Sequence, residues 1–161
     1  YEKLFALLRK EIPGIALRTT FITGFPSETE EEHRALLSFI GEQKFENAGV
    51  FAYSREPETP AYKMKGQIPA SVKKRRQREL YEAQRQVSAE FLKGFVGKTL
   101  SVVCDGIDGA GTGFVGRAYF QAPEIDGNVF FTAPRAKEGE LYKIRIEGNS
   151  DYDLFGVAVT E

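Results

Sequence analysis

One cysteine, one histidine, one methionine and no tryptophan in 161 residues narrow the chemistry before any motif is read. With Cys104 alone there is no disulfide framework and no cysteine cage for a metal. With His33 alone there is no histidine-based metal site, and its place in an acidic helical turn assembles no Ser-His-Asp triad. No catalytic residue and no metal ligand is assigned. Cys104 closes the apolar run Thr99-Leu-Ser-Val-Val-Cys104 and reads as an inert strand residue. His33 lies in an acidic first helical turn and is expected to face solvent. No apolar run is long enough to span a membrane and no signal-peptide pattern opens the chain, so a cytoplasmic protein without a membrane partner is expected.

Aspartate is missing from the first 96 residues, which carry 16 Lys and Arg against 13 Glu. Beyond Val96 the balance reverses: six basic residues face ten acidic ones, and all five aspartates and ten of the 16 glycines are there. The composition thus shifts at about Val96, from a slightly basic part to an acidic, turn-rich one.

The most informative run is residues 15–39. Ile15, Ala16, Leu17, Phe21 and Ile22, with Thr19, Thr20 and Thr23 among them, read as a strand covered on both faces. Gly24-Phe25-Pro26 stops it. Ser27 and Thr29 are alternative N-caps, and Glu28 and Glu30 to Glu32 place negative charge on a first helical turn, where the helix dipole favours it. Residues 48–53 form a second short strand, so the order β, α, β predicts a parallel pair with a right-handed crossover. Two strands do not make a stable parallel sheet, and residues 1–10 read as a helix that begins abruptly. The expectation is a C-terminal fragment of something larger.

Residues 69–93 predict a long helix, with Pro69 in its first turn and Val72, Leu80, Val87, Phe91 and Leu92 on one face. Its stretch Lys73-Lys-Arg-Arg-Gln-Arg78 reads either as a phosphate-binding patch or as a solvated face diluted by Glu79, Glu82 and Glu90. Runs at 99–105, 114–120, 128–132, 141–147 and 154–160 predict five short strands. In the fourth, Tyr142, Ile144 and Ile146 alternate with Leu141, Lys143, Arg145 and Glu147, one face core and one wet. Five strands in about sixty residues suggest a small closed barrel of the OB type, because closure removes exposed strand edges.

These segments, LRTTFITGFPSETEEE, VFAYSREPETPAYKM, the basic helix after QIP, VGKTLSVVCDG, APEIDG and SDYDLFG, resemble in order the C-terminal part of the radical S-adenosylmethionine (SAM) methylthiotransferases. APEIDG and DYDLFG resemble the branch that modifies an aspartate of a small-subunit ribosomal protein rather than the tRNA-modifying branch. Ser27 departs from the Gly-Phe-Pro-Gly-Glu-Thr pattern, which weakens the expectation that backbone at 27 approaches a ligand. The resemblance implies an α/β plus all-β chain. Residues 1–68 would end a partial TIM-like radical SAM barrel, 69–96 would form a linking helix, and 97–161 would form a five-stranded antiparallel TRAM barrel. It further implies SAM and two 4Fe-4S clusters in the full-length parent, with the cluster cysteines outside this fragment, which should bind no cofactor and be inactive alone. Thr20, Ile22 and Gly24, with Phe51, Ala52 and Tyr53, would form part of the SAM wall.

For the acidic barrel the implied partner is a basic small-subunit ribosomal protein, nucleic acid being disfavoured by charge. Arg117, Tyr119, Phe120, Glu124, Asp126, Asp151, Tyr152 and Asp153 are the candidate substrate contacts, combining carboxylates with aromatic anchors. Two other readings stay open: a tRNA methylthiotransferase fragment, and a free-standing OB-like nucleic-acid-binding module in which Arg117, Lys137, Lys143 and Arg145 cluster.

Overall fold

A computed structural model describes residues 1–159 of the chain; Thr160, where the fifth predicted barrel strand ends, lies outside the described residues. The chain forms two compact units, Tyr1–Val87 and Ser88–Glu161, and the division falls within one long helix.

In the first unit, helix α1 (Glu2–Glu11) precedes strand β1 (Arg18–Thr23), helix α2 (Glu30–Gln43) and strand β2 (Asn47–Ala52). The two strands pair in parallel, with Phe21 opposite Val50 and Ile22 opposite Phe51. Of the two candidate caps, Thr29 is the one used. Its hydroxyl accepts from Glu32 N (3.1 Å) while the Glu32 carboxylate accepts from Thr29 N (2.7 Å), a capping box that satisfies two otherwise orphaned donors. Ser27 instead sits in a left-handed turn (φ 70°) whose amide donates to Gly66 O.

One face of the β1–β2 pair is covered and the other is not. Phe21 and Val50 join Ile40, Leu80 and Val87 in a core with Leu36, Leu37 and Ala83. Phe21, Phe39 and Phe45 pack ring to ring beside it, and Phe5 of α1 meets Phe45 edge-on at 5.1 Å. On the other face Ile22 and Phe51 are each 58% exposed, and burial alternates along β1. A strand covered on both faces was the expectation; within this chain the helices cover only one. His33 also departs from expectation. It is buried at 1% exposure, because α3 (Ala70–Lys93) lies against α2 and its Glu79 bonds His33 Nε2 at 2.7 Å.

In the second unit, β3 (Thr99–Ile107), β4 (Phe114–Arg117), β5 (Val129–Thr132), β6 (Leu141–Asn149) and β7 (Leu154–Ala158) close a barrel in the order β3-β4-β5-β7-β6. Four of the five pairings are antiparallel, but β5 and β7 run parallel, Phe130 opposite Phe155. The antiparallel expectation is corrected by arithmetic of direction: strands that alternate around a closed ring must be even in number, so a five-stranded barrel needs a parallel pair. Val102, Cys104, Val129, Phe131, Ile144, Ile146 and Leu154 fill the interior. The predicted alternation along β6 holds, Ile144 and Ile146 inward and Lys143 and Arg145 outward. β4 ends three residues earlier than expected, because Ala118 N turns to Gln121 Oε1 (2.8 Å) and Phe120 swings in against Phe91 and Phe95.

Candidate functional site

Two surfaces hold the residues singled out from the sequence, one in each unit. The first is the carboxyl end of the parallel pair, where open α/β arrangements expose strand-end backbone to ligands. Thr20, Ile22 and Phe51 share its uncovered face, with Thr20 opposite Gly49 and Ile22 opposite Phe51, so two apolar side chains stand side by side as a shelf on which a planar ring can lie. Ala52 belongs to the other face, opposite the fully buried Thr23. Tyr53 follows β2, its amide donating to Thr23 O at 2.8 Å and its ring meeting Phe25 edge-on.

Gly24 is required at this corner for two reasons. Its φ of 75° is left-handed, and a Cβ there would lie 2.5 Å from Lys73 Cγ. Lys73, from the first turn of α3, lays its stem across the glycine, donates from Nζ to Tyr53 O (2.9 Å) and holds the ammonium over the Tyr53 ring.

Sequence reading missed the group that builds this turn. Glu28 accepts from Gly24 N (2.8 Å) with Oε2 and from Thr23 Oγ1 (3.1 Å) with Oε1. The same Oε1 accepts from Arg76 Nη1 at 2.6 Å, and Arg76 Nη1 also reaches Glu28 O. Both side chains are largely buried, Arg76 5% and Glu28 13% exposed. A glutamate four residues after a turn glycine is a local signal. Its arginine, 48 residues on, is not.

The basic stretch of α3 is divided: Arg75, Arg76 and Gln77 are engaged within the unit, while Lys74 and Arg78 are exposed. Arg75 pairs with Glu30 and Glu79, Arg76 with Glu28 and Glu30, and Gln77 donates to Val50 O. Hydrogen bonds from Arg75 and then Arg76 pull Glu30 down to about 2 from 4.5. Such a group stabilises the fold above its ordinary value, and that contribution is lost as pH falls from about 4.5 through about 2. Replacing Glu30 by glutamine should flatten the dependence of urea-unfolding midpoint on pH within that window and leave its slope above pH 5 unchanged.

The second surface lies at one end of the barrel, where two loops meet. Residues 122–127 close on themselves: Ala122 N donates to Asp126 Oδ2 (2.6 Å) and Asp126 N to Ala122 O (3.2 Å). At the apex are Glu124, held at φ 62°, and Ile125, 73% exposed. Residues 150–153 close around Ser150, which accepts from Asp153 N (2.9 Å). Asp153 Oδ1 then accepts from Asn128 N (2.8 Å), and a Cβ on Gly127 would fall 1.9 Å from Tyr152 O. Backbone contact this close makes the two loops one surface.

That surface sorts the candidates. Glu124, Asp151 and Tyr152 lie on these loops, Glu124 and Tyr152 exposed and Asp151 half-buried, whereas Tyr119, 64% exposed, precedes them on the turn after β4 with its ring against Phe120. The carboxylates of Asp126 and Asp153 cap the loops, and Phe120 is buried against Phe91 and Phe95. Arg117 lies on the barrel wall, paired with Asp105. Lys137 and Arg145 are paired as well, with Glu140 and Glu147, and Lys143 donates to Ser101 Oγ. Among the described residues no group of His, Cys, Asp and Glu is arranged to hold a metal. Cys104 is buried in the barrel, so the residues of this chain do not fit an iron–sulfur cluster. No helix among the described residues is long and apolar enough to cross a membrane.

Residues 96–159 match the TRAM domain. Three relatives carry the name ribosomal protein uS12 methylthiotransferase RimO. The chain is 46% identical over 155 residues to that of Clostridium botulinum, covering 96% of this chain and 34% of the relative. It is 46% identical over 159 residues to that of Lachnoclostridium phytofermentans (96% and 36%), and 43% identical over 160 residues to that of Geobacter sulfurreducens (99% and 36%). The chain thus spans about a third of the length of the curated relatives it matches, and the family resemblance read from its motifs holds over nearly all of it.

Proposed function

We propose that this chain is the C-terminal part of a uS12 methylthiotransferase, a radical SAM enzyme that adds a methylthio group to an aspartate of that small-subunit ribosomal protein. In this reading residues 1–68 end the radical SAM α/β barrel, 69–96 link, and 97–161 form the TRAM barrel. The identity to three relatives of that name, over almost the whole chain, is the observation that carries it.

The uncovered shelf of Ile22 and Phe51 fits the planar adenine of SAM, with Thr20, Gly24 and Tyr53 at its edge. Ala52, on the opposite face, contributes backbone only. The chemistry that cofactor supplies in such an enzyme is one-electron bond cleavage, which lies with the cofactor; this chain binds, orients and excludes water. The clusters belong to residues outside this chain, and the chain alone turns over no substrate.

The barrel's part is recognition of the protein substrate in the cytoplasm. Support comes from charge. Arg117, Lys137 and Arg145, three of the four cations that would serve an RNA reader, are neutralised by their own carboxylates, and nucleic-acid affinity rests on free cation–phosphate contacts. The joined loops instead offer Glu124 and Asp151 with Tyr152, a combination suited to a basic protein segment. The test leaves the loop-capping Asp126 and Asp153 untouched. In the full-length protein, E124Q should weaken binding of uS12 about threefold and reduce its salt dependence, with thermal stability unchanged, since an exposed charge contributes little to it. Unchanged affinity for uS12, or tighter binding of tRNA than of uS12 by the wild type, would overturn the partner assignment.

A further inference from the structure

We infer that Glu28 is a positioning residue for the cofactor, acting through the Gly24 turn; this rests on reading the carboxyl end of β1 and β2 as SAM wall. Both oxygens of Glu28 are spent on the turn and its anchor. Oε2 accepts from Gly24 N, while Oε1 takes Thr23 Oγ1 and Arg76 Nη1. Thr23 and Gly24 are the last strand residue and the first turn residue after Ile22, so the carboxylate decides where the strand end points.

A glycine at φ 75° has other conformations open to it at no steric cost. What holds it here is an acceptor on its amide, and Glu28 supplies that acceptor from within the same turn. Arg76 in turn fixes the glutamate, bonding its carboxylate and its carbonyl from α3. Lys73, one helical turn earlier, closes the other side of Gly24. The strand end is therefore set by α3 through one carboxylate, and the shelf of Ile22 and Phe51 inherits that geometry. Misplacement of such a wall by about 1 Å is enough to cost a large factor in affinity or rate.

The experiment compares E28A and E28Q in the full-length protein. Both lose the ion pair with Arg76 and so lose thermal stability, E28A the more because Gly24 N and Thr23 Oγ1 are also left without their acceptor. Only E28A loses the acceptor on Gly24 N, because the glutamine carbonyl can still take that amide. The probe is S-adenosylhomocysteine, measured by equilibrium titration, which reads binding without turnover. E28A should bind it at least about tenfold more weakly than the wild type, while E28Q stays within about threefold. An E28A protein that binds as tightly as the wild type, or an E28Q protein whose affinity falls as far as that of E28A, would overturn the inference. If E28A does not fold, E28D carries the test, since it keeps the charge but withdraws the carboxylate from Gly24 N by one methylene. Weakened binding at near wild-type stability supports the role and unchanged binding refutes it. A wild-type protein that does not bind S-adenosylhomocysteine overturns the cofactor-wall reading itself, and the inference with it.

Discussion

Replacing Arg76 by methionine should destabilise the first unit by about 3–5 kcal/mol, the range for removing one partner of a buried ion pair. The magnitude follows from what is left behind. Methionine fills a similar volume, so little packing is lost. Glu28, however, remains 13% exposed with a carboxylate that had relied on Arg76 for its charge partner. Glu30 loses one of its two arginines but stays half exposed with Arg75, so its share is small. Three hydrogen bonds from the guanidinium disappear together, to Glu28 Oε1, Glu28 O and Glu30 Oε2. Urea unfolding of the R76M chain, followed by circular dichroism, measures the change. Removing the charge of the glutamate as well, E28Q with R76M, should recover part of the loss in stability, because no buried charge is then unpaired and the glutamine carbonyl can still accept from Gly24 N. A loss below about 1 kcal/mol for R76M would mean that Glu28 finds solvent or another donor, and the turn is not held as described.

The other large effect is expected at Gly156. This residue lies on β7 opposite Ile146, and a Cβ there would stand 2.3 Å from Arg145 O and 2.7 Å from Ile144 Cγ2. The obstruction is backbone of the paired strand, which cannot rotate away as a side chain can. Alanine must therefore push β7 from β6 or break the pairing at the barrel seam. Overpacking of this kind costs about 3 kcal/mol at its upper range. For a unit of this size that corresponds to a fall of roughly 12–24 °C in melting temperature. Gly148, on β6 beside the bulge, is the control: nothing lies within 4 Å of its Cβ position. G148A should change stability by less than about 0.5 kcal/mol, as surface substitutions do. Differential scanning calorimetry of the two variants separates them. Equal melting temperatures would show that β6 and β7 have room between them for the methyl group.

Local chemistry carried much of this protein into view from sequence alone. The long helix began within a residue of the expected place because Pro69 cannot extend a helix toward its N-terminus and Ala70 follows it; the strand on either side of Ile144 was legible because period-two alternation is a property of neighbours. The order β, α, β fixed a parallel pair, since a helical crossover returns the chain to the same end. The motifs at 122–127 and 150–153 were visible as turns. That they form one surface was not, because the contact is between backbone atoms at Gly127 and Tyr152, and no property of either segment encodes the other.

What only the tertiary structure decided are pairings over long separations and counts that depend on closure. His33 is buried because Glu79 comes to it from another helix; the acidity around it in sequence suggested solvent. The basic run on α3 left two readings open, a phosphate patch or a solvated face, because charge at a helix surface is usually hydrated; Arg75 and Arg76 instead meet glutamates some 45 residues earlier. The parallel step between β5 and β7 follows from an odd number of strands in a closed ring, which no single strand announces. Propensity, periodicity and capping act over a few residues and so are written in the chain directly. Burial, ion pairing and direction around a barrel depend on which distant segments arrive, and that is settled only when the chain has folded.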